Sequence, residues 1–234
     1  MTVNEKEKVG FMYEEIESKI DAKKFGCACI SLSKYHGNNE MRKTLIEEGL
    51  KCGFKNVEII AEETAVYLQA MSKISYKPLN GNIIWIDDRR YYYVWQIIDQ
   101  KAKFIRQWDA ESYKLADLEK IVNESKTDKA PDIFLCRNGN DRIDKKHIFS
   151  PACRIFVYNY ELVLLSQPSL LKALITAGDS KLAHLNVQNC LQDYYWLEFG
   201  NEELIKFKPG RELPIIHSQQ LIKRTKDDVL KIVK

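Results

Sequence analysis

Residues 27–70 read CACISLSKYHGNNEMRKTLIEEGLKCGFKNVEIIAEETAVYLQA, and this stretch decides the fold class. Alternating apolar residues over positions 26–33 predict a strand. Asn38 or Asn39 is placed to cap a helix that ends at Gly53. The β-branched segment VEII predicts a second strand, and EETAVYLQAMS predicts a second helix. This strand–helix–strand–helix order is typical of a layered α/β protein.

Hydrophobic segments on both sides extend the alternation. Upstream, residues 12–22 predict a short amphipathic helix. Downstream, NIIWIDD and YYYVWQIID predict a hairpin around the charged link at residues 87–90, and KAKFIRQWDA adds a third strand. Residues 113–125 predict a helix, DIFLC predicts a buried strand, and PSLLKALITA predicts a helix that ends at Gly178.

Short β-rich segments separated by turn residues follow Gly178: DYYWLEF, ELIKFKP, LPIIHSQQLI and DVLKIV. We therefore divide the chain into an α/β unit, residues 1–180, and a β-rich unit, residues 181–234. The second unit is small for an independent core. It is expected to pack on the first unit or on another subunit.

Composition excludes several classes of protein. The 234 residues include 36 Lys+Arg and 33 Asp+Glu, and the net charge of +3 gives no electrostatic case for binding nucleic acid. No apolar run approaches the ~20 residues that are needed to span a bilayer. The first residues, MTVNEKEKVGF, lack the apolar core of a signal peptide. These features predict a cytoplasmic protein that binds neither nucleic acid nor membrane.

Six cysteines are spread along the chain: Cys27, Cys29, Cys52, Cys136, Cys153 and Cys190. Only Cys27 and Cys29 are close in sequence, and no second pair or nearby histidine completes a four-ligand metal set. Free, buried thiols in a reducing cytosol are expected instead, and no metal is predicted. The chain also has no Walker loop, dinucleotide fingerprint or H-E-x-x-H helix.

The stretch 27–70 resembles one known family. It is similar to a segment of the ATPase domain of the 70-kilodalton heat-shock chaperones, with shared residues at matching positions: Tyr35, Asn39, Arg42, Thr44, Gly49, Gly53, Asn56, Val57, Ile59, Ile60, Glu62, Thr64 and Ala65. Later segments keep the family's order. NIIWIDDRRYYYVWQII resembles its second phosphate loop, DIFLCRNGNDRIDK its adenosine loop, and ALITAGDS the end of its ATPase domain.

The resemblance implies a fold and two domains. Residues 1–180 are expected to be the remnant of an actin-like (ribonuclease H-like) ATPase domain. Residues 181–234 are expected to form the interdomain linker and a partial substrate-binding β-sandwich, because VQNCLQDYYWLEFGNEELIKFKPGRELPIIHSQQL looks like that region of the family.

The nucleotide-binding residues of the family are altered in this chain. Its phosphate loop D-L-G-G-G-T, whose glycines let backbone N–H groups approach phosphate, is replaced here by Asp87, Asp88, Arg89 and Arg90 with their neighbours. Its adenosine loop G-G-S-T-R is replaced by a segment that begins Arg137, Asn138, Gly139. The family's first phosphate hairpin has no counterpart. The resemblance therefore implies degenerate cofactor-binding loops and no bound cofactor.

Glu62 is the one clear survivor of the family's acidic residues. Its functional interpretation is a vestigial ligand of a metal-bound water, and the simpler interpretation, which we favour, is a helix-start carboxylate stabilised by the helix dipole. The charged link 87–90 is either a phosphate or peptide contact or, as we favour, a solvated hairpin tip. The aromatic residues 91–93 and Trp95 either stack on a ligand or, as we favour, pack in the core.

The resemblance implies a heat-shock-chaperone-like protein of protein folding and the stress response that has lost ATP hydrolysis. It would bind proteins, either unfolded clients or chaperone partners, as a binding or regulatory module. The alternative is an active ATP- and Mg²⁺-dependent chaperone that is completed by a partner or by self-association. A fragment without selected activity is a third interpretation. Either repacking or self-association is also expected near residues 26–33, because large apolar surfaces are rarely left open.

Overall fold

The computed structural model describes residues 7–32, 39–88, 90–109, 123, 127, 130–137, 151–159, 166–189, 195–199, 202–208 and 230–233. The helices are α1 (Lys8–Lys19), α2 (Ala22–Phe25), α3 (Asn39–Lys51), α4 (Glu62–Ser72) and α5 (Ser166–Thr176), followed by a 3₁₀ helix (Ser180–Leu185). The strands are β1 (Cys27–Ser31), β2 (Asn56–Ile60), β3 (Ile83–Asp87), β4 (Tyr91–Ile98), β5 (Lys101–Asp109), β6 (Ile133–Arg137), β7 (Arg154–Tyr158), β8 (Tyr195–Phe199), β9 (Glu202–Phe207) and β10 (Leu230–Val233). The protein is thus a mixed α/β protein, as the sequence predicts.

The main sheet has five strands in the order β5-β4-β3-β6-β7. Strands β3, β4 and β5 form an antiparallel meander, whereas β6 runs parallel to β3 and β7 runs parallel to β6. All five residues of β3 are buried, as is usual for a strand with both faces covered. Asp99 and Gln100 join β4 to β5 with positive φ angles of 50° and 62°, which suits a two-residue hairpin turn.

A second, two-stranded sheet pairs β1 with β2 in parallel, with Cys27 opposite Asn56. The helix α3 connects the two strands and packs beside β2 and α1. Its inner face belongs to a small core that includes Val9, Tyr13, Leu45 and Val57. This unit has the strand–helix–strand order predicted from the sequence.

Two helices join the two sheets. The helix α4 follows β2 directly and is buried along most of its length, with Val66, Tyr67 and Leu68 in the core of the main sheet. The helix α5 packs on both β1 and α4. Through these contacts the β1–β2 pair is held against the layer of helices that covers the main sheet.

The remaining described strands form a three-stranded antiparallel sheet in the order β10-β8-β9. Before it, Val187 forms a parallel bridge with Ala102 of β5, so the chain just after the 3₁₀ helix lies on the main sheet. The division into residues 1–180 and 181–234 stays a prediction.

Most elements agree with the sequence predictions, with differences at their ends. The helix predicted over residues 12–22 begins earlier, at Lys8, because Val9 belongs to the core, and Asp21 starts the separate helix α2 by accepting a hydrogen bond from the Lys23 N–H. The helix predicted over residues 113–125 and the strand predicted in LPIIHSQQLI lie outside the described residues. In the described part of the chain, every helix is too short or too polar to cross a membrane.

Candidate functional site

The predicted phosphate and adenosine loops begin at neighbouring points of the main sheet. β3 and β6 are parallel, and Asp87 lies opposite Cys136 in their register. Asp88 follows β3, and Arg137 is the last residue of β6. The guanidinium Nη1 of Arg137 donates a hydrogen bond of 3.4 Å to the carbonyl oxygen of Asp88. The carboxyl ends of these two strands therefore form one site.

The carboxylate of Asp88 occupies the inside of the hairpin between β3 and β4. Its Oδ1 accepts hydrogen bonds from the backbone N–H groups of Arg90, at 2.8 Å, and Tyr91, at 2.7 Å. The Tyr93 hydroxyl donates to Oδ2 at 3.4 Å, and the Asp88 N–H donates to the Tyr91 carbonyl at 3.2 Å. The backbone N–H groups at the hairpin tip are thus bonded to a carboxylate of the same hairpin.

Burial dominates the electrostatics of Asp88. Only 8% of the residue is exposed, and this burial raises the pKa of the carboxyl above its usual value. The hydrogen bonds from Tyr91, Arg90 and Tyr93, and the charge of Arg137, act in the opposite direction without cancelling the effect. The charged form of Asp88 is therefore held in the site at some cost in free energy.

The prediction of a solvated hairpin tip is wrong for its two acidic residues. Asp87 is 0% exposed, and the Tyr158 hydroxyl of β7 donates to its carbonyl oxygen at 3.4 Å. Arg90 is exposed, with its guanidinium 5.3 Å from the centre of the Tyr91 ring. Arg89 lies outside the described residues.

Glu62 belongs to the same electrostatic neighbourhood. It is the first residue of α4, which agrees with the interpretation as a helix-start carboxylate. Burial raises the pKa of the Tyr93 hydroxyl, and the negative charges of Asp88, Glu62 and Glu63 raise it further. The charge of Glu62 therefore acts on Tyr93, the residue of β4 whose hydroxyl also bonds to Asp88.

Glu63, which is only 3% exposed, is not among the site residues predicted from the sequence. A second carboxylate at the start of an apolar helix looks like ordinary dipole stabilisation, and its burial follows from the packing of α4 on the main sheet. The sequence contains one signal of this burial, because the mostly apolar run AVYLQAM begins two residues after Glu63. All residues of that run are buried in the structure. Asn138 and Gly139, the other predicted residues of the adenosine loop, lie outside the described residues.

The chemical capacity of the site follows from these groups. Two backbone N–H groups that face the inside of the tip are bonded to the Asp88 carboxylate, and the carboxylates of Glu62 and Glu63 add negative charge nearby. Among the described residues, no group of three or more His, Cys, Asp or Glu side chains is arranged to hold a metal ion. The described residues of these loops do not fit a Mg²⁺-bound triphosphate, because a carboxylate already takes the backbone donors of the tip.

Three of the four aromatic residues of β4 pack in the core, as the sequence predicts, and the fourth, Tyr91, is half-buried. Tyr92, Tyr93 and Trp95 are all buried. The ring of Trp95 lies 4.7 Å from that of Tyr67 on α4 and 5.0 Å from that of Phe104 on β5, measured between centroids. These rings fill the core of the sheet.

A cleft of about 430 Å³ lies at a different place, where α1 meets α2. It opens to solvent, and its lining mixes acidic and basic side chains, among them Glu17, Lys19, Asp21 and Lys23, beside Cys52. Burial and the charge of Glu17 raise the pKa of the Cys52 thiol, so the thiol is not activated as a nucleophile. The cleft has neither the apolar lining nor the convergent polar groups of a binding site.

No protein-family model matches the chain, and no curated protein matches it. The resemblance noted in the sequence consequently rests on the residues themselves.

Proposed function

We propose that this chain is a heat-shock-chaperone-like protein that binds other proteins and does not hydrolyse ATP. Its α/β unit would be a degenerate actin-like (ribonuclease H-like) ATPase domain. One observation carries the proposal: the Asp88 carboxylate accepts hydrogen bonds from the N–H groups of Arg90 and Tyr91. These two donors lie in the hairpin that resembles a phosphate loop, and they are already bonded to a carboxylate of the protein.

The order of strands supports the actin-like part of the proposal. A three-stranded antiparallel meander, with two parallel strands beside its first strand, is the arrangement of a ribonuclease H-like lobe, and β5-β4-β3-β6-β7 has this arrangement. Under this proposal, the unit of β1, α3 and β2 would be the end of a preceding lobe. Both parts occur in the chain in the order that the family resemblance requires.

Electrostatics supports the loss of nucleotide binding. A phosphate in this hairpin would have to displace the Asp88 carboxylate from its two donors, and it would remain close to that negative charge. Two unit charges 4 Å apart repel each other by about 4 kcal/mol at an effective dielectric constant of ~20. Such a penalty weakens binding by roughly a thousandfold. An ATPase site cannot be built on this geometry without rearranging the tip.

Calorimetric titration of the purified chain with ATP and Mg²⁺ tests the proposal. We expect no saturable binding, no phosphate release above the buffer rate, and no shift in thermal unfolding. A ligand at a hundred times its Kd stabilises a protein by about 2.7 kcal/mol, so even weak binding is detectable. A micromolar affinity for ATP would refute the proposal. Repeating the titration with a candidate chaperone partner tests the alternative of an ATP site that is completed by another chain.

Protein binding needs its own measurement. A fluorescently labelled, chemically unfolded client is titrated with the chain, and the same client in its native state serves as the control. We expect saturable binding to the unfolded client that is unaffected by ATP. Binding to neither form would remove the client-binding part of the proposal, while leaving the prediction about nucleotide in place.

A further inference from the structure

The outer edge of β1 is an open sheet edge in the described structure. The β1–β2 sheet has only two strands, and no described strand lies on the other side of β1. The hydrogen-bond pattern shows which groups face outward. The Gly26 carbonyl accepts from the Asn56 N–H at 3.0 Å, and the Leu32 N–H donates to the Ile60 carbonyl at 3.2 Å. Even-numbered residues of this strand therefore bond to β2.

Because backbone groups alternate along a strand, the odd-numbered residues Cys27, Cys29 and Ser31 direct their N–H and C=O groups to the outer edge. Within the part of the chain that the structure describes, no other strand accepts or donates hydrogen bonds there. Three residues thus present a row of polar backbone groups to an additional strand.

Both faces of β1 are covered even though its edge is open. Ala28, Ile30 and Leu32 pack against the small core of α1 and α3, whereas Cys29 packs against the core to which α5 contributes. All five residues of β1 are half-buried. An added strand would therefore continue a sheet whose strand β1 is covered on both faces.

The sequence of β1 has none of the features that usually protect an edge. CACIS contains no charged residue and no proline, and its pairing with β2 is regular along its whole length. Natural edge strands use charges, prolines and bulges to prevent pairing with another chain. This strand is therefore suited to pairing.

We infer that a second copy of this chain pairs with β1 in the antiparallel direction, with a two-fold axis at Cys29. Cys29 then lies opposite Cys29 of the partner subunit, and Cys27 lies opposite Ser31 of the partner subunit. The outward groups of such pairs exchange both of their hydrogen bonds. The result is a four-stranded sheet with β2 at each end. This inference does not depend on the proposed function.

A second copy is a better occupant of this edge than a lone peptide, because it brings helices that cover both faces of its own β1. An uncharged strand can lie beside its own copy without repulsion. The outer edge of β2 is less suited to such pairing, because NVEII contains the charged residue Glu58 and charged residues on an edge strand oppose pairing with another chain.

Sedimentation velocity in reducing buffer, at protein concentrations from about 1 to about 100 μM, tests whether the chain dimerises. Variants of β1 test whether the dimer forms through this strand. The wild-type chain is expected to form a dimer at the upper end of this range. Ser31→Pro removes an outward N–H group, and its matched control Ser31→Ala removes the same hydroxyl but keeps that N–H. We expect the alanine variant to dimerise like the wild type and the proline variant to dimerise at least tenfold more weakly. A chain that stays monomeric throughout would overturn the inference.

Amide hydrogen exchange of the wild-type chain identifies the edge even if the proline variant does not fold. The N–H groups of Cys29 and Ser31 are expected to be protected at high concentration and to exchange faster on dilution. Those of Ala28 and Ile30, which face β2, should be protected at both concentrations. A dimer in which Cys29 and Ser31 exchange at the rate of the monomer would also overturn the inference.

Discussion

The ammonium group of Lys172 on α5 lies 3.4 Å from the carboxylate of Glu58 on β2, with 6% and 22% of the two side chains exposed. The Thr176 hydroxyl donates a hydrogen bond to the other carboxylate oxygen of Glu58, at 2.8 Å. Because α5 also packs on α4, this ion pair ties the β1–β2 sheet to the helices of the main sheet. It also affects the Cys29 thiol, whose pKa is raised to about 12 mainly by burial and then by the charge of Glu58.

Removing the cation should destabilise the protein strongly. Lys172→Met leaves the Glu58 carboxylate partly buried without its ion-pair partner, and breaking a buried pair in this way costs about 3 kcal/mol or more of the free energy of unfolding. Urea denaturation measures the loss. The double variant Glu58→Gln/Lys172→Met should recover part of it, since no uncompensated charge remains.

A surface ion pair provides the control for this experiment. Lys51 lies 2.6 Å from Glu48 on α3, with 70% of its side chain exposed, and such pairs contribute little to stability. Lys51→Met should leave the denaturation midpoint nearly unchanged. If Lys172→Met and Lys51→Met had equal effects, the buried pair would not be the link between the sheets.

The hairpin tip should depend on the Asp88 carboxylate. Asp88→Ala leaves the N–H groups of Arg90 and Tyr91 without their acceptor, which costs about 1–3 kcal/mol. Asp88→Asn keeps an acceptor oxygen and should cost less. Urea denaturation gives the stabilities, and amide exchange at Arg90 and Tyr91 should accelerate in the alanine variant. Equal stability and equal exchange in both variants would contradict the role of Asp88 as an internal anion.

Two helical glycines should respond in opposite directions to alanine. A Cβ at Gly49 in α3 would lie 2.6 Å from the Tyr13 hydroxyl oxygen and 2.8 Å from the Val57 Cγ2, and such overpacking costs about 1–3 kcal/mol. A Cβ at Gly10 in α1 meets nothing within 4 Å, so Gly10→Ala gains roughly 0.5–1 kcal/mol from helix propensity. Thermal unfolding should show a lower midpoint for Gly49→Ala and a higher one for Gly10→Ala. A stabilised Gly49→Ala variant would contradict the packing of α3 on β2.

Local patterns in the sequence were sufficient for the helices and strands with strong periodicity. The helix α4 was predicted with its observed ends because an apolar run follows two acidic residues, and the hairpin of β3 and β4 was predicted because two apolar segments flank a charged link. Each signal lies within a few residues of the element that it predicts. Such signals specify secondary structure, but they do not specify which other parts of the chain pack on each helix or strand.

The burial of the hairpin tip could not be predicted in this way. Asp88 and Arg137 are 49 residues apart, and Asp87 and Tyr158 are 71 residues apart, so the groups that cover the tip come from β6 and β7. Four charged residues in a row look solvated unless these later strands are known to lie beside β3. The pair of Glu58 and Lys172 has the same origin, since it forms only when α5 returns to β2.

Alkaline pH should weaken the small core through Tyr13. Its buried hydroxyl donates to the Leu45 carbonyl at 2.8 Å, and burial, with smaller contributions from Cys52 and Glu48, raises its pKa to about 12. Tyrosine in an unfolded chain titrates near pH ~10. Between these values the folded state keeps a proton that the unfolded state loses, so the free energy of unfolding falls as the pH rises. The contribution of Tyr13 is complete below the unfolded pKa and is lost as the pH passes the folded pKa.

Tyr13→Phe separates this titration from other alkaline effects. The variant should be less stable than the wild type at neutral pH, because the buried hydrogen bond from the Tyr13 hydroxyl to the Leu45 carbonyl is lost. Its disadvantage should shrink as the pH rises above about 10, because only the wild type carries the hydroxyl that ionises. Urea denaturation of both proteins at several pH values gives the difference in the free energy of unfolding. Parallel pH profiles would mean that the Tyr13 hydroxyl has the same pKa in the folded and unfolded chains, which would contradict the effect of its burial on the pKa.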